Sequence, residues 1–247
     1  TCHKTPKTRL EPMGSGRDGL PGLEDAPCGT GKGKGKGKGR MTPQQYVQDK
    51  AASSGSSFYY AFLFLPEQRR QAITAFYAFC REIDDVVDEP HDAGVARAKL
   101  AWWQGEISAL FRGEPTHPVT QALAPCVGPF SIEARHLLAV LEGCQMDLDQ
   151  SRYLDFPALQ AYCHRVAGIV GEVACNIFGR QEEATLSYAH KLGLAMQLTN
   201  IARDVGEDAR IGRLYLPLQW LREEGLEPDN WLQSPHCSAA LQRVVER

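Results

Sequence analysis

The stretch that decides the fold is YAFCREIDDVVD, residues 77–88. Its apolar residues continue a spacing of three and four that starts at Ala72, which predicts an amphipathic helix with a buried stripe. The helix is expected to begin at Pro66-Glu67, because proline is well tolerated in a first turn. It should end at Glu89-Pro90, because the residue before a proline avoids helical geometry.

A phenol, a guanidinium and two carboxylates follow one face of this helix. Tyr77, Arg81, Asp84 and Asp88 are spaced by three or four residues, so they lie one turn from each other. Carboxylates one turn apart repel each other, and burying them is costly unless a cation compensates. Asp84 and Asp88 are called the first acidic motif below.

A similar pattern recurs in QLTNIARDVGED, residues 197–208. Gln197, Asn200, Asp204 and Asp208 fall on one helical face, and the last three are called the second acidic motif. Hard oxygen donors favour Mg²⁺, which keeps several waters and bridges to substrate phosphates. Two such motifs facing each other across a cavity would hold a diphosphate through two or three magnesium ions.

The rest of the chain also has helical periodicity. Helical segments are predicted at about 94–112, 131–150, 156–178 and 182–208, with prolines and glycines between them. Alternating strand patterns are nearly absent, which predicts a single all-α bundle around one central cavity. No apolar run reaches the roughly 18 residues of a membrane span.

Other interpretations of the polar residues are weaker. Acidic runs are often solvated helix faces, but two motifs of matching phase argue against that here. A di-iron bundle needs two Glu-x-x-His motifs, and only Glu133 and His136 form one. His164, beside Arg165 in an apolar segment, is interpreted as a packing residue.

The two ends of the 247-residue chain differ from its centre. Residues 1–40 carry nine basic and four acidic residues, whereas the remainder carries 18 basic and 26 acidic residues. The first 40 residues are rich in Gly and Lys and are predicted to be disordered. They are either an arm for nucleic acid or anionic membrane or, the interpretation that we favour, a non-native extension, because Met41-Thr42-Pro43 resembles a natural start.

Cysteine use indicates a reducing compartment. The eight cysteines contain no Cys-x-x-Cys pair, and several lie within apolar helical patterns. We therefore expect reduced thiols, no zinc site and a cytoplasmic protein.

Five motifs in this order resemble the squalene/phytoene synthase family. They are SSFYYAF (56–62), YAFCREIDD (77–85), YCHRVAG (162–168), QLTNIARD (197–204) and GRLYLP (212–217). The resemblance covers about residues 41–225 and implies an isoprenoid-synthase-type helical domain over 41–247. Because relatives usually continue with further helices, a domain truncated at its C-terminus is expected.

The resemblance also implies residue roles. The acidic motifs would bind Mg²⁺, and family members often hold a diphosphate with a Lys or Arg near the first motif, where this chain has Ser56. The implied catalytic residues are Tyr77, Arg81 and Tyr162, and the implied substrate-binding residues are Ser56, Phe58, Arg81, Gln197, Arg213 and Tyr215. Tyr215 would donate a hydrogen bond to a phosphate.

Within the family, SSFYY, Trp102-Trp103 and residues 146–153 most resemble the presqualene diphosphate synthases of bacterial hopanoid pathways. That resemblance implies head-to-head condensation of two farnesyl diphosphates. The alternatives are a phytoene synthase that uses geranylgeranyl diphosphate, a full squalene synthase and a non-catalytic scaffold. Chain-elongating prenyltransferases are disfavoured, because their second motif is normally another Asp-Asp-x-x-Asp.

Cofactors and partners follow from this interpretation. Mg²⁺ is expected and NADPH is not required, although the family binds NADPH without a Gly-x-Gly-x-x-Gly motif, so reduction stays open. The expected partners are isoprenoid diphosphates and downstream terpenoid enzymes, with no nucleic acid. Contact with the inner membrane surface is consistent with lipid substrates.

Overall fold

A computed structural model describes residues 41–88, 92–180 and 182–247; the predicted extension 1–40 lies outside the described residues. Within these ranges the chain forms helices and turns, with one isolated backbone bridge and no strand, which confirms the all-α prediction. The helices are α1 (Pro43–Ser53), α2 (Ser57–Phe62), α3 (Glu67–Asp88), α4 (Ala93–Arg112), α5 (Pro118–Val127), α6 (Ala134–Asp149), α7 (Phe156–Cys163), a π-helical turn (His164–Gly168), α8 (Ile169–Phe178), α9 (Glu183–Arg210), α10 (Leu218–Glu223), α11 (Pro228–Gln233) and α12 (Ala239–Val245).

The predicted helices are present, and α3 runs from Glu67 to Asp88 as its periodicity indicated. The sequence pattern predicted none of α1, α2, α5, α10 and α11, and α5 was excluded because its prolines were interpreted as helix breakers. Pro118 occupies the first turn, where its missing N–H is not needed, and Pro125 lies on the exposed side of the helix. Proline position, rather than proline presence, decides whether a short helix forms.

The helices pack around two apolar clusters. The first joins α1 through α6 with α8, and α3 is its centre: Ala72, Phe76, Phe79 and Ile83 are almost fully buried. The second joins α7, the C-terminal half of α9 and the three short helices that follow. None of the described helices has the length and apolar character needed to cross a membrane.

The segment after α9 is anchored to the loop between α6 and α7. Leu214 N–H donates to the Ser151 carbonyl at 2.9 Å, and Leu218 N–H donates to the Tyr153 carbonyl at 2.9 Å. Arg152 and Leu214 thereby form a parallel bridge. These bonds bring Tyr215 next to residues that precede it by more than fifty positions.

Glu172 on α8 connects three elements through a buried carboxylate. Arg135 Nη2 donates to it at 2.7 Å, and the Nε2 atoms of His136 and His190 lie 3.1 and 3.2 Å away. His136 Nδ1 accepts from the Glu133 N–H, so its proton resides on Nε2 and is donated to Glu172. His136 thus belongs to a structural network rather than to the Glu-x-x-His metal pair considered from sequence.

Glu172 should make stability fall in acid. Burial raises its pKa, but hydrogen bonds from Arg135, His136 and His190 outweigh burial and lower the pKa to about 2 from 4.5. A depressed folded-state pKa stabilises the protein above pH 4.5, and this contribution is lost as the pH falls towards 2.

We expect Glu172→Gln to lower the free energy of unfolding at neutral pH by about 1–3 kcal/mol, because charge-assisted hydrogen bonds are lost. The same variant should also show a flatter acid limb, that is, a smaller loss of unfolding free energy as the pH falls from 4.5 towards 2, measured by urea unfolding followed by circular dichroism. Glu142→Gln, at an exposed α6 site 3.5 Å from Arg165, is the control and should match the parent protein. An unchanged acid limb in Glu172→Gln would contradict this assignment.

Candidate active site

The first acidic motif lies at the C-terminal end of α3. Asp84 is buried, and Arg81 Nη1 lies 3.6 Å from its Oδ2, while Arg81 Nη2 donates to Asp85 at 3.1 Å. Burial raises the pKa of the Asp84 carboxyl, the charge of Arg81 opposes this rise and that of Asp88 adds to it. Cys144 Sγ lies 3.5 Å from Asp84 Oδ1, a contact that the sequence did not indicate.

Tyr77, the first residue of this polar face of α3, is hydrogen-bonded to the loop before α2. Tyr77 is buried, its ring packs edge-on against Phe62, and its hydroxyl donates to Ser54 Oγ at 3.1 Å. Ser56 is the N-cap of α2, and its Oγ accepts from the Phe58 N–H at 3.2 Å. The Ser56 N–H also donates to Ser54 Oγ, at 3.2 Å, so Tyr77 and Ser56 share Ser54 as a hydrogen-bond partner.

A lysine missed by the sequence reading accompanies this region. Lys50 on α1 lies 2.8 Å from Asp85 and 3.0 Å from Glu82. Tyr46 donates to Glu82 at 2.7 Å. Lys50 therefore brings a cation to the side of α3 that also carries Arg81, although the first family motif has Ser56 in place of a basic residue.

The second acidic motif lies on α9. Gln197 and Asp208 are buried, whereas Asn200 and Asp204 are half-buried. Asp204 accepts two hydrogen bonds of 2.6 Å from the guanidinium of Arg203. Any cation that binds Asp204 therefore competes with this ion pair.

Arg213 contacts both acidic motifs. Its Nη1 is 3.8 Å from Asp88 Oδ1, and its backbone N–H donates to the Asp208 carbonyl at 2.9 Å. Helix α9 ends at Arg210. Gly212, the residue before Arg213, has φ 76°, a left-handed geometry that favours glycine. A shallow recess is lined by Ile201, Val205, Asp208, Arg213, Leu214, Tyr215 and Leu216.

A second buried carboxylate lies beside Arg213. Asp147 on α6 accepts a hydrogen bond of 3.1 Å from Tyr162 and one of 2.7 Å from Tyr215. Burial raises its pKa, while the charge of Arg213 and the hydrogen bond from Tyr215 oppose the rise. Burial and the charge of Asp147 in turn raise the pKa of both phenols.

Tyr153 completes this phenol cluster. Its ring centroid lies 5.4 Å from that of Tyr162 and 5.8 Å from that of Tyr215, in tilted and stacked geometry. Its hydroxyl is buried and has no hydrogen-bond partner among the described residues. Asp147 could have been noticed in the sequence as an acid on the apolar face of α6, one turn beyond Gly143 and Cys144.

The structure thus brings Arg213 near Asp88 and Asp208, and joins Tyr162 and Tyr215 through Asp147. It does not gather the acidic motifs into a ready metal centre, since no three His, Cys, Asp or Glu side chains in the described ranges form a group that could hold a metal ion. Helices α3 and α9 do not form a principal packing pair, because α9 packs chiefly on α8 and the π-helical turn.

A family model described as squalene/phytoene synthase matches residues 51–247. The chain belongs to the squalene/phytoene synthase family. Presqualene diphosphate synthase of Rhodopseudomonas palustris is 40% identical over 173 residues, which cover 70% of this chain and 62% of that protein. Phytoene synthase of Rhodobacter capsulatus is 40% identical over 195 residues, which cover 77% of this chain and 57% of that protein.

Solved structures of the squalene/phytoene synthase type share the fold. Squalene synthase HpnC from Alicyclobacillus acidocaldarius superposes with a TM-score of 0.74 at 25% identity and covers 82% of this chain and 76% of that chain. A dehydrosqualene synthase in complex with ligand gives 0.72 at 32% identity, covering 83% and 73%. The chain spans 44% of the length of phytoene synthase 1 of Arabidopsis thaliana.

The phenol cluster generates a stability prediction for the ligand-free protein. Tyr215→Phe removes one of the two donors to the buried Asp147 and should lower the free energy of unfolding by about 1–3 kcal/mol. Tyr153→Phe removes a hydroxyl that makes no hydrogen bond, so it should be neutral or stabilising. Urea unfolding midpoints at equal slope test this difference, and equal losses in the two variants would refute it.

Proposed function

We propose that the protein joins two farnesyl diphosphates head to head to form presqualene diphosphate. The observation that carries this proposal is that the Arg213 guanidinium lies 3.8 Å from Asp88 of the first acidic motif, while Arg213 lines a recess together with Asp208 of the second. A guanidinium beside one acidic motif, in a recess that the other motif also lines, is suited to a ligand that carries both negative charge and bound cations, as a magnesium diphosphate does. The family membership supports a prenyl diphosphate as that ligand.

The donor set fits Mg²⁺ only together with a phosphate ligand. Each acidic motif contains two aspartates, and Mg²⁺ is commonly bound by one or two carboxylates plus substrate phosphates. Asp84 and Asp88 would hold it on α3. Asn200, Asp204 and Asp208 would hold it on α9. When bound, Mg²⁺ neutralises negative charge on the diphosphate, which makes it a better leaving group.

The chain's own side chains would complete that neutralisation. Arg81 and Arg213 offer planar guanidinium groups that can each contact two phosphate oxygens. Their charges would stabilise the diphosphate as the allylic carbon–oxygen bond breaks. Gln197, buried on the same face of α9, would orient a diphosphate oxygen.

The carbon chains require an apolar, dry environment. An allylic cation is captured by water unless water is excluded. Phe58 is packed against the apolar cluster centred on α3, to which the buried Tyr77 belongs, and the buried Tyr162 belongs to the second apolar cluster. Their aromatic rings would shield and stabilise positive charge until the second double bond attacks.

Phytoene synthesis from geranylgeranyl diphosphate is the second candidate. The phytoene synthase of Rhodobacter capsulatus and the presqualene diphosphate synthase of Rhodopseudomonas palustris are equally similar to this chain, at 40% identity each. Reduction to squalene with NADPH is a further extension of the same chemistry. The choice between the two substrates depends on the length of the apolar pocket.

Product analysis tests the proposal. The purified protein is incubated with Mg²⁺ and either farnesyl or geranylgeranyl diphosphate, with and without NADPH, and products are identified by mass spectrometry. Presqualene diphosphate in both farnesyl samples supports the proposal. Squalene formed only with NADPH indicates a full squalene synthase, and turnover of geranylgeranyl diphosphate alone indicates a phytoene synthase. No turnover by folded protein would reject the enzyme assignment and favour a scaffold role.

The role of Arg213 can be tested with a matched pair of substitutions. Arg213→Lys keeps the charge but loses the planar fork, so kcat/KM should fall by about 10²-fold. Arg210→Lys, at an exposed site on the last turn of α9, should behave as the parent protein. Steady-state kinetics with saturating Mg²⁺ distinguish the two. Equal kinetics in both variants would exclude Arg213 from diphosphate binding.

A further inference from the structure

Asp147 is the charged residue that the predicted active site did not include. Its side chain is 7% exposed and is enclosed by residues from separate parts of the chain. Tyr162 on α7 donates to Oδ2, and Tyr215, after α9, donates to Oδ1. Each carboxylate oxygen is therefore engaged by one phenol.

This geometry decides what the phenols can offer to a ligand. A phenol carries a single hydrogen, and in both tyrosines it is donated to Asp147. What remains on each hydroxyl oxygen is a lone pair, so the oxygen can accept a hydrogen bond or face a positive charge. Tyr215 cannot donate to a phosphate while this bond exists, which departs from the role that the family resemblance implied for it.

The surroundings favour such acceptors at the reacting centre. Donation to a carboxylate in a low-dielectric interior polarises the phenol and increases negative charge on its oxygen. The rings of Tyr162 and Tyr215 stack with centroids 5.4 Å apart, and Tyr215 lines the recess that Arg213 and Asp208 also line. Tyr215 therefore connects the phenol pair to the proposed diphosphate site.

We propose that Asp147 is a positioning residue for the condensation: it holds Tyr162 and Tyr215 as hydrogen-bond acceptors that stabilise the allylic cation after diphosphate leaves. This role rests on the proposed function. Asp147 acts through the two tyrosines and has no contact with substrate of its own. The positive charge on the allylic carbon would be met by the phenol oxygens, while Arg213 remains with the departing anion.

The substitution Asp147→Asn tests the direction of the hydrogen bonds separately from side-chain shape, because asparagine and aspartate have nearly the same shape. In Asp147→Asn the side-chain oxygen can accept from one phenol, but the amide nitrogen must donate to the other, which reverses one hydrogen bond. We expect kcat to fall by about 10²-fold, because the cation loses an oriented acceptor, with KM changed by less than about 3-fold. Asp147→Glu keeps both acceptor oxygens and should recover part of kcat.

The matched control is Asp149→Asn. Asp149 lies two residues further along α6 on the exposed side, where it pairs with Arg97 at 3.0 Å. This variant makes the same chemical change on the same helix and should retain the parent kcat. Circular dichroism and urea unfolding confirm that each variant is folded before its kinetics are measured.

A mutant cycle tests whether Asp147 acts through the two phenols, which are replaced together because Asp147 binds both. If it does, Asp147→Asn adds little to the loss of kcat in Tyr162→Phe/Tyr215→Phe, whereas independent roles give multiplied losses. Multiplied losses, or a KM effect without a kcat effect, would overturn the positioning role.

The two proposals fail in different ways. If the parent protein turns over farnesyl or geranylgeranyl diphosphate and Asp147→Asn matches Asp149→Asn, only the role of Asp147 is rejected. If the folded parent protein turns over neither substrate with Mg²⁺, the proposed function is rejected. The proposed role of Asp147 in condensation is then rejected as well.

Discussion

Burying a carboxylate in an apolar helical bundle is unfavourable unless hydrogen bonds and positive charge replace the water that it loses. Asp84, Glu106, Asp147, Glu172 and Asp208 are each no more than 9% exposed. They come from five different helices, and those whose partners are described above bind groups on neighbouring elements. The need to satisfy these acids therefore constrains how the bundle is assembled.

The buried acids fall into two groups according to their partners. Glu106 accepts from the backbone N–H groups of Thr116 and His117 and from the Thr120 hydroxyl, and such bonds outweigh burial and lower its pKa. Glu172 likewise has hydrogen-bond partners on both of its carboxylate oxygens. Burial instead raises the pKa of Asp84 and Asp147, whose partners are arginines, phenols and a thiol. Acids with raised pKa values are typical of functional sites; Asp84 belongs to the first acidic motif, and Asp147 lies beside Arg213.

The position of Arg213 depends on a loop rather than on a helix. Backbone bonds between residues 214–219 and 151–154 hold the segment after α9, and they place Arg213 and Tyr215 beside Asp88 and Asp147. The shared fold with squalene and dehydrosqualene synthases, at TM-scores of 0.74 and 0.72, shows that the arrangement of helices is common to these proteins.

The sequence alone determined the helical class, the extent of α3 and the two acidic faces, because helical periodicity is a local property of neighbouring residues. It misread Pro118 and Pro125, since a proline is tolerated or disruptive according to its place in a helix. Only the tertiary structure decided that Asp147 joins Tyr162 to Tyr215 and that Arg213 lies near Asp88. These contacts join residues 15 to 125 positions apart, and nothing in local spacing specifies which buried charges will meet when the helices pack.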